Sequence, residues 1–321
     1  MSINIQGPES VLGLICSKTV CNWCNKPRGA DVALKQCKGC TVTWYCSKEC
    51  QTAAWPHHKL MCTSRSRAKV PPIYDILGRA TMAELSQASK DWTEVHKLSL
   101  FMIATIAVEL GGGVDAVLNA PQSVIFDLGP PTVYDGSPST AFTLEAADFN
   151  HRDKVGALTA PQWSPPAVAV RDTLAQRFRG ANAHPDIVGV LPVTFCIGGA
   201  QLAAQTSLPL HRGALDARTK AALENVTGIC MGAINAGAVF RIPTDANRVV
   251  PDIGKLVLRG KNWTWTPPAP SVSQASNLIL EFLRSHSEFR HYPVSPLDSF
   301  TTYHQLWPYH SLRIDAESGS S

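Results

Sequence analysis

Seven cysteines and one histidine fall within forty-two residues as close pairs: Cys21-x2-Cys24, Cys37-x2-Cys40, Cys46-x3-Cys50 and His58-x3-Cys62. Thiolate sulfur and imidazole nitrogen are the ligands of structural zinc, and eight of them make two closed, four-coordinate sites. A two-residue gap folds the chain back so that both sulfurs reach one ion about 2.3 Å away, while a three-residue gap sets both ligands on one face of a helix. Spacing alone leaves open whether the pairs are used in sequence or interleaved. His57 also stands beside His58, although the i,i+4 offset of His58 from Cys62 repeats that of Cys46 from Cys50 and favours His58. A disulfide framework would need an oxidising compartment, and the opening stretch MSINIQGPES has neither a charged n-region nor an apolar h-region. Two structural zinc ions are the expected cofactor.

The string Cys46-Ser47-x2-Cys50-Gln51-x3-Trp55-x2-His58-Lys59-x2-Cys62 resembles the second half of a MYND-type zinc finger, and the likeness extends over residues 21–62. The resemblance implies an interleaved cross-brace, with Cys21, Cys24, Cys46 and Cys50 on one zinc and Cys37, Cys40, His58 and Cys62 on the other. It also implies a protein–protein interaction module or adaptor. Fingers of this kind take proline-containing peptides, often Pro-x-Leu-x-Pro, as an extended segment, so Trp55 and Gln51 are the expected peptide-binding residues. A competing reading packs Trp55 on the finger's own helix. Saturated zinc cannot activate water; it stands in for the core that some forty residues are too few to build, so the output of such a module is a surface.

The formal charge of +4 counts every cysteine as a neutral thiol. With zinc bound as above, the chain stands near +1, because metal-bound cysteine is thiolate. Within the finger, Lys26, Arg28, Lys35, Lys38, Lys48 and Lys59 face only Asp31 and Glu49, and metal-bound thiolates offset most of that excess. Direct nucleic-acid binding is therefore not expected, since phosphate contact wants a concentrated basic stripe.

The 321 residues, 45% hydrophobic and 17% charged, support a second core beyond the finger. The longest apolar run, Leu98 to Val108, is too short to span a membrane and reads as a buried helix. The expectation is an intracellular protein, cytoplasmic or nuclear. Residues 1–20 form an extension, 21–62 the finger, 63–72 a basic linker closed by Pro71-Pro72, 73–316 an α+β domain of unassigned role and 317–321 a short disordered tail.

Within that domain Ile73, Ile76, Leu77 and Ala80 keep helical spacing, and Thr81-x2-Glu84 reads as a capping box. Asp91-x2-Glu94 reads as a second helix start, with a stripe of Trp92, Val95, Leu98, Met102, Ile106 and Leu110 ending at Gly111-Gly112-Gly113. The stretch from Asp91 to Leu110 also resembles the helix that follows the finger in uncharacterised fungal MYND proteins. Val124 to Leu128 reads as a strand, and loops dominate from there to Pro166. Ser164-Pro165 predicts a helix to Phe178, Ile187 to Ile197 a strand broken by its proline, and Asp216 to Asn225 a helix. Gly228 to Pro243 reads as strand-like, Val249 to Arg259 and Trp263 to Trp265 as extended, and Ser273 to Ser287 as a last helix.

Two enzyme readings are weighed against this layout. Methyltransferases that pair a SET domain with a MYND finger carry an Asn-His-Ser-Cys motif; the nearest string here, Asn182-Ala183-His184-Pro185, lacks its cysteine. Gly228-Ile229-Cys230-Met231-Gly232 resembles a hydrolase nucleophile elbow with cysteine for serine, followed by Asp252 and by His286, His291, His304 or His310. The plainer reading makes Cys230, like Cys196, a core residue and leaves Cys16 spare. A cysteine hydrolase centred on Cys230 is the alternative to an interaction protein.

Overall fold

The computed structural model describes residues 21–151, 187–267 and 295–307 apart from short gaps, with a few positions between 168 and 176. Two short strands open it, β1 (Lys35–Gln36) and β2 (Trp44–Tyr45), paired antiparallel, followed by α1 (Lys48–Arg67). The Ser47 hydroxyl caps α1 by accepting the Cys50 N–H at 3.2 Å. Pro56 removes a donor from the middle of α1, yet the helix runs on through the first five residues of the expected linker.

A 3-10 turn spans Pro72–Leu77; of the expected stripe Leu77 is buried, but Ile73 and Ile76 are exposed and Tyr74 turns inward instead. The helix α2 (Met82–Val95) starts at the expected capping box: Glu84 N–H donates to the Thr81 hydroxyl and Thr81 N–H to the Glu84 carboxylate. Asp91 does not start a helix. It lies inside α2, where its carboxylate accepts from the Gln87 amide at 2.8 Å. The break falls at His96, and α3 (Lys97–Leu110) follows. Almost every side chain of α3 from Leu98 to Val108 is buried, as a helix apolar all round requires. Gly111 ends it where a Cβ would overlap the Phe149 ring, and α4 (Gly113–Asn119) leads to the sheet.

That sheet holds β3 (Gln122–Gly129), β4 (Thr143–His151), β5 (Ile187–Ile197) and β6 (Leu202–His211) in the order β4-β3-β5-β6. Only β3 and β5 are parallel. Phe126 and Phe195 sit opposite each other on that pair, with rings stacked 5.1 Å apart. The proline does not break β5: Pro192 keeps register with Ser207, and the irregularity lies at Ile187 to Gly189.

The next helix, α5 (Ala217–Asn235), is capped by Asp216 and runs through the stretch read as strand-like after Gly228. Its Ala222, Val226, Ile229, Cys230 and Ala233 are buried, and α5 packs on α3 and on α6 (Pro296–Leu306). Tertiary burial here overrides the glycine-rich composition. A second sheet, β7 (Val239–Arg241), β8 (Asp252–Arg259) and β9 (Asn262–Thr266), is antiparallel throughout, as the extended readings anticipated. One core joins α2, α3, α5, α6 and the larger sheet, and a separate cluster joins finger residues from Cys21 to Cys62. The described elements thus make a small finger followed by an α+β body. The helices expected at Ser164 to Phe178 and at Ser273 to Ser287, and Cys16, lie outside the described residues or across their gaps.

Candidate metal centre

The loop at Cys21 and Cys24 reaches the N-terminus of α1, while that at Cys37 and Cys40 reaches its middle. The structure thereby gathers Cys21, Cys24, Cys46 and Cys50 in one cluster and Cys37, Cys40, His58 and Cys62 in another, with all ligand atoms of each within 4.8 Å of one another. The pairs are interleaved. Within α1, His58 and Cys62 lie one turn apart and face one cluster, whereas for the other cluster only Cys50 is helical and Cys46 lies just before the Ser47 cap, so the expected helical face holds for one pair alone. Trp44 N–H donates to the Asn22 side-chain oxygen at 2.6 Å and ties the first loop to β2.

A tetrahedron with metal–sulfur bonds of about 2.3 Å has edges of about 3.8 Å, and a nitrogen–sulfur edge is about 3.5 Å. The Cys37 and Cys62 sulfurs are 3.8 Å apart, and His58 Nε2 lies 3.5 Å from Cys40 Sγ and 3.4 Å from Cys37 Sγ. In the other cluster Cys46 Sγ is 3.5 Å from the sulfurs of both Cys24 and Cys50. These are the separations of ligands around a shared ion. Sulfurs so crowded do not all ionise together without a cation: contact with Cys24 pushes the Cys46 thiol up to about 12, and burial, then Cys37, pushes Cys62 up to about 12, whereas at Cys21 the rise from burial is outweighed by backbone hydrogen bonds from Cys24 and Cys46, which bring it down to about 7. Both clusters therefore fit structural zinc, with no ligand position left for water.

Supporting residues outside the ligand set were not legible in the spacing. The Thr43 hydroxyl stands 3.2 Å from Cys40 Sγ and 3.3 Å from His58 Nε2, and Tyr45 meets the His58 ring edge-on. Such second contacts orient ligands. Trp55, on α1, is 40% exposed with its ring 5.9 Å from that of His58. Gln51 is half-buried one turn earlier. Trp23, between the first ligand pair, is 43% exposed and was not singled out from the sequence, although an aromatic residue between two metal ligands was the available signal.

Cys230 is not at a strand-to-helix elbow. It lies within α5, fully buried, and burial pushes its thiol up well beyond the ordinary range. Asp252, the expected acid partner, is ion-paired with Arg248 at 2.8 Å. His304 lies on α6, and the other candidate histidines lie outside the described residues. Nothing here favours the hydrolase alternative. Cys196 is half-buried on β5.

No curated protein and no solved structure matches the chain, so the likeness of Asp91 to Leu110 to fungal proteins gains no support. Residues 21–62 match the family model for the MYND finger, and MYND fingers generally serve protein–protein interaction. That match coincides with the first and last ligands of the two clusters, and the segment is a MYND zinc finger with sites that fit two structural zinc ions.

Proposed function

We propose that the finger acts as an adaptor surface on which Trp55, with Gln51 beside it, receives a proline-containing peptide. The observation that carries this reading is a large aromatic ring left 40% exposed on the helix that also supplies ligands to both clusters. A ring so held stacks on proline at little entropic cost. The finger occupies residues 21–62, residues 63–72 connect it, and residues 73–316 form the body that carries it. The partner is a protein. Among the described residues no helix is long and apolar enough to cross a membrane.

The test is calorimetric titration of the full chain with a Pro-x-Leu-x-Pro peptide. Affinity should be micromolar or weaker, because a short flexible peptide must be ordered on a small groove. Trp55→Ala should cost about 1 to 3 kcal/mol of binding, tenfold or more, with zinc content unchanged. Equal affinity in both proteins, or no binding by either, returns Trp55 to a packing role.

A further inference from the structure

The two larger sheets treat their edges differently. On β4 the Asn235 side chain of α5 accepts the Leu144 N–H at 2.7 Å and donates to the Leu144 carbonyl at 3.1 Å, taking up groups that a neighbouring strand would use. Among the described residues the strand β9 has no such cover. Its neighbour there is β8 alone, joined through the two-residue turn Gly260-Lys261, in which Gly260 takes a φ of 62°. A two-residue connection makes Arg259 and Asn262 a hydrogen-bonded pair. By alternation, Asn262, Thr264 and Thr266 turn their main-chain groups toward β8, while Trp263 and Trp265 turn theirs outward. Among the described residues no main-chain hydrogen bond reaches those outward groups.

The side chains of this ribbon divide by face. Lys255, Val257 and Arg259 share one face with Thr264 and Thr266, and Leu256 and Leu258 share the other with Trp263 and Trp265. Arg241 lies over the Trp265 ring at 4.8 Å, fixing the inner tryptophan, while the outer one reaches toward the turn. Val257 is 43% and Leu258 48% exposed, so the distal ribbon is open on both faces. The charged residues from 253 to 267 are Lys255, Arg259 and Lys261, all positive and all exposed.

We infer that β9 is a docking edge for an extended protein segment in which acidic and apolar residues alternate. Strand addition would satisfy the outward N–H and C=O groups of Trp263 and Trp265 directly. Because side chains on an added strand alternate with period two, one set falls beside Trp263 and Leu258 and the other beside the short threonines. Lys255 and Arg259 can reach carboxylates across those threonines. A nucleic acid or an anionic bilayer would answer the positive charge but leave the main-chain groups of the edge unpaired, which favours the peptide strand.

The test uses the full chain and two labelled peptides of equal composition, one alternating Val and Glu and one with the same residues in two blocks. The alternating peptide should bind about tenfold more tightly or better, and its binding should slow amide exchange at Trp263 and Trp265. Trp263→Pro, which lacks the outward N–H, should lose about tenfold in affinity, while Trp263→Thr, which keeps it, should lose less. Should the proline variant fail to fold, Lys255→Glu with Arg259→Glu provides the second arm: preference should pass from the Val and Glu peptide to an alternating Val and Lys peptide. Equal binding of both peptides, wild-type binding by a folded Trp263→Pro, or failure of charge reversal to switch preference would overturn the inference. So would occupation of the edge by a second copy of the chain, or binding of a single-stranded oligonucleotide in place of the peptide.

Discussion

Gly39 gives the sharpest test of the second cluster, because a Cβ built there would stand 2.7 Å from Cys62 Sγ and 3.9 Å from Cys37 Sγ. Carbon and sulfur in contact need roughly 3.6 Å, so in Gly39→Ala the sulfur would have to retreat by nearly an ångström. Cys62 has no such freedom when it holds an ion, since metal–ligand distances keep within about 0.2 Å. It is buried on α1 and already 3.8 Å from the Cys37 sulfur. Overpacking of this kind costs about 1 to 3 kcal/mol. Borne by metal binding, that is about a 5- to 150-fold loss of zinc affinity at Cys37, Cys40, His58 and Cys62. The cluster of Cys21, Cys24, Cys46 and Cys50 makes no contact with the added methyl and should hold its ion longer. The assay is stepwise chelation followed by native mass spectrometry, which counts zero, one or two ions. Gly29→Ala is the control, because a Cβ there meets nothing within 4 Å. If Gly39→Ala released both ions at the same chelator concentration as wild type and Gly29→Ala, Cys62 would not be pinned and the metal reading of this cluster would fail.

Structural zinc in small fingers contributes on the order of 10 kcal/mol of folding free energy, so Cys37→Ser should unfold residues 21–62 while calorimetry still shows the cooperative transition of the larger core. His96, buried and donating to the Ser139 carbonyl at 2.9 Å, is held down at about 4 by burial. The unfolded chain takes up a proton that native His96 refuses, so stability should be lost as pH falls from about 6.5 to about 4, by up to about 3 kcal/mol. Burial pushes Glu109 up to about 7, with the opposite sign: its contribution is lost as pH rises from about 4.5 to about 7. Glu109→Gln should therefore unmask the His96 slope in urea titrations across that range. Cys230 should resist alkylation in the native chain and react only on unfolding; fast labelling of folded protein would contradict its buried place in α5.

What was legible in the sequence was local. The zinc ligands announce themselves through residue type and offset, and the capping box at Thr81 and Glu84 reads off four consecutive residues. The same grammar misleads at Asp91 and Glu94, because an acidic pair three apart inside a helix looks like one at its start; Gln87, one turn earlier, was the distinguishing neighbour. From Gly228 onward the glycines suggested an extended chain, yet the buried stripe of Val226, Ile229, Cys230 and Ala233 keeps helical spacing and packs against α3 and α6. Pairing partners were not legible at all. The parallel register of Val124 with Val193 joins residues far apart in the chain, and nothing local to either strand states it. The edges follow the same logic. The alternation of Trp263 and Trp265 is visible in five residues, but that Asn235 pairs with Leu144 on one sheet's edge while no described strand pairs with the outer side of β9 is decided by topology. A binding surface made of side chains can thus be proposed from a motif, as at Trp55, whereas one made of main-chain groups can be proposed only once the strand order is known.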